Sequence, residues 1–560
     1  MADPVSGFAG RLQGHVAAVA GGPTTGRSNR YDAVIVGGGH NGLVCGTYLA
    51  KAGLSVCVLE RRPIIGGGCV TEELWPGYRV STAAHLMGLL QPKVILDLEL
   101  AKFGFEVLTP PPVFQPLADG RHIVLWPQPE RFCAELAKFS ARDAAAYPAY
   151  AAHLRRLGAV MQRLLWEIPP DPGSRRLADL KDLLLFAWRF RDVGGCFYDL
   201  YDLMTLSAFD YLARWFESDA ARIALGYYPG GAAGQTVSIR TPGTAFLLLR
   251  AQLRDSDTPA GGTGLMRGGM GSIVDALVRS GQRFGLEVRA NAEVRSILVR
   301  DGRARGVALA SGEEIAGKIV IANADARRTF LSLLDPATLP AEFVRGIRDF
   351  RATSTAFKIH LAVDRLPRYP GFEAAAPGYA YPAQMRVAPS VDYLEAAYDD
   401  MRRGQIARQP YLTVLAASAV DATLAPPGKH VLSIYGGHVP FRPEGGTWEG
   451  KRDDIFAAAR STLEQYAPGF AADILHTQIL APTDFEDIFG LPGGHPHHAE
   501  ITLDQLFFRR PAAHYANYRS PVAALYLASA SCHPGGAVTG VPGHNAARVI
   551  LRDWKSRRLA

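Results

Sequence analysis

Three glycines and one acidic residue near the start of the chain have the types and spacing needed to bind a dinucleotide. Gly37, Gly39 and Gly42 form a G-x-G-x-x-G motif, and Glu60 follows it at a distance of about 20 residues. The first glycine permits a tight turn, the second lets the backbone approach a pyrophosphate, and the third lets a helix pack closely on a strand. A carboxylate at Glu60 accepts hydrogen bonds from an unphosphorylated ribose. The pattern therefore predicts a site for FAD or NAD rather than NADP.

A set of histidines towards the carboxyl end could do proton chemistry. His495, His497 and His498 lie together in the segment GGHPHH, and His533 opens the segment HPGG. Histidine transfers protons near neutral pH and is a common metal ligand. No matching pattern of acidic residues accompanies these histidines, so the sequence predicts no metal site. Two roles stay open at this point: ordering a loop, and acting as acid or base in an active site.

The elements that would position the dinucleotide motif follow from the hydrophobic pattern. Residues 31–36 are an apolar run rich in Val and Ile, typical of a strand buried on both faces of a parallel sheet. A helix with an apolar stripe follows the glycines, and residues 55–59 predict a second strand. The free N–H groups and partial positive charge at the start of that helix favour a phosphate. Strand, glycine turn, helix, strand and acid therefore agree on one dinucleotide-binding unit.

Length and composition describe an ordinary folded protein. The chain has 560 residues, enough for two or three domains, and its formal net charge is +7. Lys and Arg do not cluster with aromatic residues, so no nucleic-acid partner is expected, and the charge favours solubility or a peripheral contact with an anionic membrane. The six scattered cysteines contain no C-x-x-C motif, which argues against disulfide chemistry and for a reducing compartment. No apolar run is long enough for a spanning helix.

Domain organisation can be predicted from breaks in the pattern. We expect an α/β protein in which a discontinuous Rossmann-like domain that binds FAD or NAD alternates with a substrate domain made of a β-sheet and helices. A tail at residues 1–30 is predicted to be disordered, with a weak organellar presequence as the alternative. The predicted segments are 31–110, 256–335 and 515–560 for the dinucleotide-binding domain, and 111–255 (with a helical cap) and 336–514 for the substrate domain.

Three local patterns within these segments carry further expectations. Residues 287–299, 305–310 and 318–322 predict a three-stranded meander, and residues 534–551 predict a helix opened by glycines. The cap is unusually aromatic at residues 183–190 and 196–216. Those residues form either an ordinary helical core or an apolar surface for a greasy substrate or a bilayer.

Six segments, taken in order, carry a family resemblance. They are the opening motif with its extension E-R-R-x-x-x-G-G from Glu60, GGMGSIVDAL from Gly268, IVIANAD from Ile319, DFEDIFGLPGG from Asp484, TLDQLFF from Thr502 and LYLASASCHPGG from Leu525. In this order they resemble the phytoene desaturase and carotenoid isomerase branch of the flavin amine oxidase superfamily. The similarity extends over nearly the whole chain.

The resemblance implies that FAD is the cofactor and that the binding positions of the family carry over. These positions are Gly37, Gly39, Gly42, Glu60, Arg61, Gly66 and Gly67 for the pyrophosphate and ribose, Val294 for the adenine side, and Gly535, Gly536 and Val538 for the flavin end. His498 and His533 resemble histidines of a family member and are the candidate catalytic acids or bases. The C-terminal helix would point its N-terminus at the flavin ring, where its positive end stabilises reduced flavin.

The implied function is hydride transfer to flavin N5 from a small apolar substrate, isoprenoid or polyene-like, whose carbon–carbon bonds are dehydrogenated or isomerised. Two alternatives stay open: oxidation of a C–N bond as in amine oxidases, and a non-catalytic regulatory protein with structural FAD. No second glycine motif for a nicotinamide is present, so oxygen, a quinone or a protein is the expected electron acceptor. The expected location is the cytoplasm, with membrane association or, in a eukaryote, the mitochondrial matrix as alternatives.

Overall fold

The computed structural model describes residues 29–232, 236–253, 264–382 and 384–556. Apart from its last two residues, the predicted N-terminal tail lies outside these ranges. The strands, in chain order, are β1 (Arg30–Val36), β2 (Val56–Leu59), β3 (Thr71–Trp75), β4 (Tyr78–Ser81), β5 (Val107–Leu108), β6 (Val113–Pro116), β7 (His122–Leu125), β8 (Leu265–Met266), β9 (Glu287–Arg289), β10 (Val294–Arg300), β11 (Arg303–Leu309), β12 (Glu314–Ala322), β13 (Phe357–Val363), β14 (Gln384–Val387), β15 (Leu412–Leu415), β16 (His430–Gly436), β17 (Ile474–Leu480) and β18 (Leu525–Leu527).

The α-helices connect these strands and cover the sheets. They are α1 (His40–Lys51), α2 (Pro92–Asp97), α3 (Pro129–Ala137), α4 (Ala141–Leu165), α5 (Leu177–Arg189), α6 (Phe197–Thr205), α7 (Ala208–Ala213), α8 (Asp219–Gly226), α9 (Gly271–Arg283), α10 (Ala326–Leu331), α11 (Ala341–Asp349), α12 (Phe372–Ala375), α13 (Val391–Arg402), α14 (Arg452–Glu464), α15 (Pro482–Phe489) and α16 (Val541–Lys555). Within the described ranges, no helix combines the length and apolar character that crossing a membrane requires.

The first sheet contains the predicted dinucleotide unit. Its strand order is β10-β11-β12-β1-β2-β9, and β18 pairs with β12. Parallel pairs join β18 to β12, β12 to β1, β1 to β2 and β2 to β9. The residues of β1 from Ala33 to Ile35 are fully buried. A sheet buried on both faces needs such a continuous apolar run. The unit β1–α1–β2 therefore forms as the sequence predicts.

The predicted meander is only partly correct. Strands β10, β11 and β12 form it with antiparallel pairing, but residues 287–299 do not make one strand. Instead β9 extends the parallel sheet beside β2, and the chain turns before β10 begins. Asn291 adopts a left-handed conformation with φ 53°, which breaks an extended strand.

The second sheet has the order β17-β13-β16-β15-β14-β6-β7 and is antiparallel except between β14 and β6. Every residue of β13, which lies between the edge strand β17 and β16, is buried. Apolar residues of α3, α4, α7, α8 and α14 form one hydrophobic core with this sheet, whereas α1, α9 and α16 share the core of the first sheet. Each of the two sheets therefore has a hydrophobic core of its own.

The C-terminal helix begins later than predicted. The sequence predicts a helix over residues 534–551, but α16 spans Val541–Lys555 and Gly540 precedes it with φ 74°. Gly535 and Ala537 also have positive φ values, of 112° and 75°. A right-handed helix cannot contain such residues, so the glycine motif forms a turn in front of the helix rather than its first turn.

Candidate active site

The first glycine turn has the close packing that a dinucleotide motif needs. Gly37 has a φ of 102°, and its N–H donates to the carbonyl oxygen of Leu59 over 2.8 Å. A Cβ atom on Gly42 would lie 2.6 Å from the carbonyl oxygen of Gly37, so only glycine lets α1 approach the turn this closely. The side-chain amide of Asn323, just after β12, donates to the carbonyl oxygen of Gly37 over 3.1 Å and stabilises the turn.

Glu60 is buried at the end of β2, beside the turn. Its carboxylate accepts hydrogen bonds from the backbone N–H of Gly38 at 2.9 Å and of Arg62 at 3.0 Å. A carboxylate offers about four acceptor sites, so these two bonds orient the group and leave capacity for a ribose diol. The position predicted to bind ribose thus holds a fixed acceptor.

The second glycine pair lies directly against the first turn. Gly66 forms a parallel β-bridge with Gly39, and a Cβ on Gly67 would lie 3.3 Å from the Cα of Gly39. Val294 is half-buried at the start of β10, packed on the edge of the first core. The predicted pyrophosphate and ribose positions are therefore adjacent in space.

Arg61 lies beside a second arginine. Its guanidinium donates to the carbonyl oxygens of Asp487 and Ile488 at 3.0 and 2.9 Å, at the end of α15. A Cβ on Gly490 would lie 3.3 Å from Arg61 and 3.5 Å from Arg328, so the two guanidiniums are close neighbours. Burial and then the charge of Arg328 lower the pKa of Arg61. Two adjoining cations favour an anion between or beside them, which fits the pyrophosphate of FAD.

The C-terminal glycine motif contacts both the first helix and the histidine segment. A Cβ on Gly536 would lie 2.1 Å from the Cβ of His497. Burial lowers the pKa of His40, the first residue of α1, to about 4, opposed by a hydrogen bond with the backbone of Ala537. Val538 is half-buried against the first core. The flavin end of the predicted site is thus assembled from three distant parts of the chain.

The histidine segment is buried and uncharged at neutral pH. Burial, followed by the charge of Arg510, lowers the pKa of His495 to about 3, and burial with the charge of His40 lowers that of His498 to about 3. Among the described residues, Nδ1 of His498 and Nε2 of His40 are buried ring nitrogens without a hydrogen-bond partner. Such atoms are costly unless a ligand meets them, so the segment fits a polar cofactor.

The two candidate catalytic histidines have different surroundings. Nε2 of His533 lies 2.9 Å from the carbonyl oxygen of Leu164 at the end of α4, and its ring packs edge-to-face on Phe507 at 4.9 Å. Burial lowers the pKa of His533 to about 4. His533 is therefore held by the protein, whereas His498 keeps a ring nitrogen for a ligand.

Arg510 organises this region and was not identified from the sequence. The guanidinium is fully buried and donates to the backbone carbonyls of His497 (3.0 Å), Glu500 (3.2 Å), Gln505 (3.4 Å) and Ala530 (2.9 Å). Burial lowers its pKa to about 10. It thereby joins the histidine segment to the chain that leads into the C-terminal motif. Nothing in the sequence distinguishes it from its neighbour Arg509.

Lys358 is a second functional candidate that the sequence reasoning missed. It is fully buried on β13, and Nζ donates to the carbonyl oxygens of Ser81 and Ala84, the latter at 3.3 Å. Burial lowers its pKa to about 7. The N–H of Ala84 donates in turn to the carbonyl oxygen of Gly68 at 2.8 Å, next to the second glycine pair. The sequence could have indicated this residue, because a lysine inside the otherwise apolar strand F-K-I-H-L-A-V is costly to bury and its pKa is therefore expected to be perturbed.

The neighbours of Lys358 are polar and aromatic. Both ring nitrogens of His85 are buried without a partner among the described residues, and burial followed by the charge of Lys358 lowers its pKa well below the usual value. The His85 ring lies 6.0 Å from that of Tyr435. Burial and then Tyr228 raise the pKa of Tyr435, so this phenol stays neutral.

Arg250 connects the surroundings of Lys358 with the histidine segment. Its guanidinium lies 4.6 Å from the ring of Tyr228, and its charge is the second cause, after burial, of the lowered pKa of His497. The site thus combines buried or half-buried basic side chains with neutral aromatic rings. In the described ranges, no group of three or more His, Cys, Asp or Glu side chains is placed to hold a metal ion.

Comparison with known proteins gives a family match and several full-length relatives. Residues 42–551 match the family described as flavin containing amine oxidoreductase. The pyridine nucleotide-disulfide oxidoreductase domain-containing protein 2 of Rattus norvegicus is 35% identical, with 94% of each chain covered. One polypeptide of the limonene dehydrogenase of Castellaniella defragrans is 25% identical (93% of this chain, 94% of the relative), and a neurosporene-forming phytoene desaturase of Cereibacter sphaeroides is 26% identical (91% and 92%).

Solved structures share the fold at low sequence identity. An oxidoreductase from Methanosarcina mazei has a TM-score of 0.58 at 16% identity and covers 93% of this chain and 99% of its own. Putrescine oxidase bound to putrescine has a TM-score of 0.56 at 15% identity and covers 94% and 99%. These structures confirm the α/β fold class, and the family match confirms the FAD cofactor predicted from the sequence.

Proposed function

Because the chain belongs to the flavin containing amine oxidoreductase family, we propose that it uses FAD to dehydrogenate or isomerise carbon–carbon bonds of a small apolar substrate, isoprenoid or polyene-like. The bound FAD supplies the hydride acceptor. The protein supplies a largely dry site, orientation of the substrate, and groups that can hold or move a proton. Relatives named for limonene and phytoene chemistry support this substrate class.

One observation carries the preference for C–C over C–N chemistry. Three basic side chains border the site: the buried Lys358 and Arg510 and the half-buried Arg250. The buried acids of this region are already bonded within the protein, Glu60 to the backbone of its own turn and Glu500 to Arg351 at 3.2 Å, so they are not free to neutralise a cationic substrate. An amine substrate is protonated in water, and like charges in a poorly solvated site repel each other strongly. An uncharged hydrocarbon carries no such penalty. The cationic surroundings therefore favour an apolar substrate.

Two side chains are our candidates for proton chemistry. Lys358 has a pKa near neutrality, so Nζ can both hold and release a proton at working pH. The ring of His498 is neutral, and its unpartnered Nδ1 can form a hydrogen bond that orients a polar group of the substrate or cofactor. His533 has the role of a positioning residue, because its Nε2 is committed to Leu164.

Amine oxidation is the second candidate function. A group of aromatic rings supports it: Tyr411 lies 5.8 Å from Tyr227 and 5.0 Å from His438, and Tyr398 lies 5.5 Å from His438. Such a group resembles the lining that binds cationic amines. The fold shared with putrescine oxidase leaves this reaction in the range of the family.

An anaerobic absorbance experiment tests the proposal. The purified flavoprotein is mixed without oxygen with polyenes, with primary and secondary amines, or with reduced nicotinamides, and the flavin bands are followed. Bleaching by a polyene or another isoprenoid supports the proposal, and bleaching by amines alone refutes it in favour of the second candidate. No bleaching by any donor would favour a non-catalytic FAD protein. Reoxidation of bleached enzyme with oxygen, a quinone or a protein identifies the acceptor.

We also propose a reducing location, either the cytoplasm or, in a eukaryote, the mitochondrial matrix. All six cysteines are free thiols, and Cys45, Cys57, Cys69 and Cys532 are buried. Burial raises the pKa of Cys532 to about 12, so this thiol beside the C-terminal motif stays protonated and unreactive.

A further inference from the structure

Large exposed apolar side chains are concentrated in one part of the helical cap. Among the described residues, nine of the fourteen exposed large hydrophobic side chains lie on α5 and α6. We name this set the apolar face; it consists of Leu177, Leu180, Leu184, Leu185, Trp188, Phe197, Tyr198, Tyr201 and Met204. Such a concentration is unusual for a protein surface and marks a contact with another body.

Helix α5 is amphipathic, yet it contacts the rest of the protein only through half-buried residues such as Phe186. No residue of α5 is buried, and Leu177, Leu184 and Trp188 are 85%, 72% and 63% exposed. Spacings of three and four residues place Leu177, Leu180, Leu184 and Trp188 on one stripe. Burying this stripe would be favourable, so the stripe is expected to contact the surface of another molecule or assembly.

The charges beside the apolar face are arranged for an anionic partner. Three acids of this region form ion pairs with arginines of neighbouring elements: Asp192 with Arg163 at 2.6 Å, Asp199 with Arg156 at 2.7 Å and Asp202 with Arg214 at 2.5 Å. Their negative charge is thereby neutralised. Arg189 is likewise paired, with Glu167 at 2.8 Å. The remaining exposed basic side chains around α5 still outnumber the two acids of the helix; the bases are Arg175, Arg176, Lys181 and Arg191, and the acids are Asp179 and Asp182.

The residue types of the apolar face suit a lipid surface better than a protein surface. Trp188, Tyr198 and Tyr201 combine an apolar ring with a polar tip, as side chains at the headgroup level of a bilayer do. Leucines beneath them would enter the acyl boundary while the cations meet lipid phosphates. We propose that the apolar face docks the protein on the surface of an anionic lipid bilayer, with α5 lying in the plane of the interface.

The apolar face is one aromatic layer away from the candidate active site. Phe186, on the inner side of α5, lies 5.5 Å from Phe507, whose ring packs on His533 at 4.9 Å. A docked protein would hold its aromatic layer against the lipid. If the proposed function is correct, an apolar substrate dissolved in the bilayer reaches the site without crossing water.

Vesicle binding tests the docking face without any substrate, so its result is independent of the proposed function. The complete FAD-loaded protein is sedimented with vesicles of phosphatidylcholine, alone or mixed with phosphatidylglycerol. We expect binding to the anionic vesicles, and we expect the double variant Leu184→Glu/Trp188→Glu to bind at least about tenfold more weakly. Leu96→Glu is the matched control, because Leu96 is 68% exposed on α2, outside the face.

Further variants separate the lipid surface from other partners. Lys181→Glu/Arg176→Glu should weaken binding to anionic vesicles and should remove most of the further weakening that salt causes in the parent protein. Because α5 buries no side chain, the variants should keep the thermal midpoint and flavin content of the parent protein. Absence of wild-type binding, or equal loss with Leu96→Glu, overturns the proposal. Self-association that the double variant abolishes, without vesicle binding, would assign the face to a second copy of this chain.

Discussion

Lys358 is an ionisable side chain that the fold holds without a counter-ion among its hydrogen-bond partners, which are both carbonyl oxygens. The unfolded chain keeps its proton up to the ordinary pKa of 10.5, whereas the folded protein releases it near 7. Between these values the unfolded state binds more protons. The free energy of unfolding should therefore rise with pH, by at most about 1.4 kcal/mol per unit from this group.

The change Lys358→Met should remove this rise. We expect a flatter dependence of the urea midpoint on pH from 7 to 10.5, and loss of any inflection near pH 7 in the rate of flavin reduction. Lys555→Met, at an exposed position of α16, is the control and should change neither. A variant that kept both the slope and the inflection would show that Lys358 does not titrate in this range.

Arg510 gives a second prediction at the scale of one residue. Its five hydrogen bonds to four backbone carbonyls depend on a planar fork that lysine cannot reproduce. Arg510→Lys should lower the free energy of unfolding by about 3 kcal/mol, because several carbonyls lose a charged donor inside the protein. Urea denaturation measures the loss, and Arg509→Lys at the neighbouring exposed position should cost little. An equal loss of unfolding free energy in both variants would contradict the role given to Arg510.

At the scale of elements, the contact between the C-terminal glycine turn and the histidine segment is the critical junction. Gly536 has no positive φ, so alanine is tolerated by the backbone, but its Cβ would lie 2.1 Å from that of His497. Gly536→Ala should push the two segments apart, destabilise the protein by about 1–3 kcal/mol and weaken FAD retention. The flavin-to-protein absorbance ratio after gel filtration measures retention.

A matched glycine serves as the control for that junction. Gly194→Ala adds a methyl group where no atom lies within 4 Å, and its φ is not positive. It should keep the flavin ratio of the parent protein. If both variants retain FAD equally, the close approach of the turn and the histidine segment is not needed for the cofactor.

The elements that the sequence could predict are those specified by neighbouring residues. The unit from β1 to Glu60 follows from an apolar run, a glycine spacing and an acid, all within about 30 residues. The start of α16 was missed, because the turn residues with positive φ, Gly535, Ala537 and Gly540, lie against segments that are distant in sequence. Gly535 lies beside Arg510, Ala537 bonds to His40 and Gly540 lies beside Val94, and the local pattern reveals none of these contacts. Arg510 was missed for the same reason: its carbonyl partners lie on segments that only the fold brings together.

At the scale of the whole molecule, the buried histidines make the protein sensitive to acid. His40, His495, His498 and His533 have folded pKa values of about 3 to 4, below the ordinary value of 6.5. As the pH falls below 6.5, the unfolded chain binds protons at these histidines, whereas the folded protein does not bind them until the pH is much lower. The free energy of unfolding should therefore drop steadily between pH 6.5 and 4, because each histidine adds up to about 1.4 kcal/mol per unit.

One substitution tests this expectation. His498→Asn should reduce the acid-side slope, and asparagine suits the left-handed backbone at this position, where φ is 62°. His476→Asn is the control, because His476 is exposed on β17 at the edge of the second sheet. Urea midpoints at several pH values compare the two. If the dependence of the urea midpoint on pH were unchanged in His498→Asn, this histidine would bind its proton over the same pH range in the folded and the unfolded protein.

The way Arg510 is bound has a consequence for changing the specificity of this protein. The guanidinium holds main-chain oxygens only, so the side chains of the residues that supply them are not part of the anchor. A library that randomises position 497 would thus vary one side chain at the site while Arg510 holds the main chain in place. Positions 500 and 505 should stay constant, because Glu500 forms an ion pair with Arg351 at 3.2 Å and Gln505 accepts a hydrogen bond from the N–H of Arg351 at 2.6 Å. With Arg510 retained, position 497 is therefore a place where directed evolution can change the site without changing its backbone.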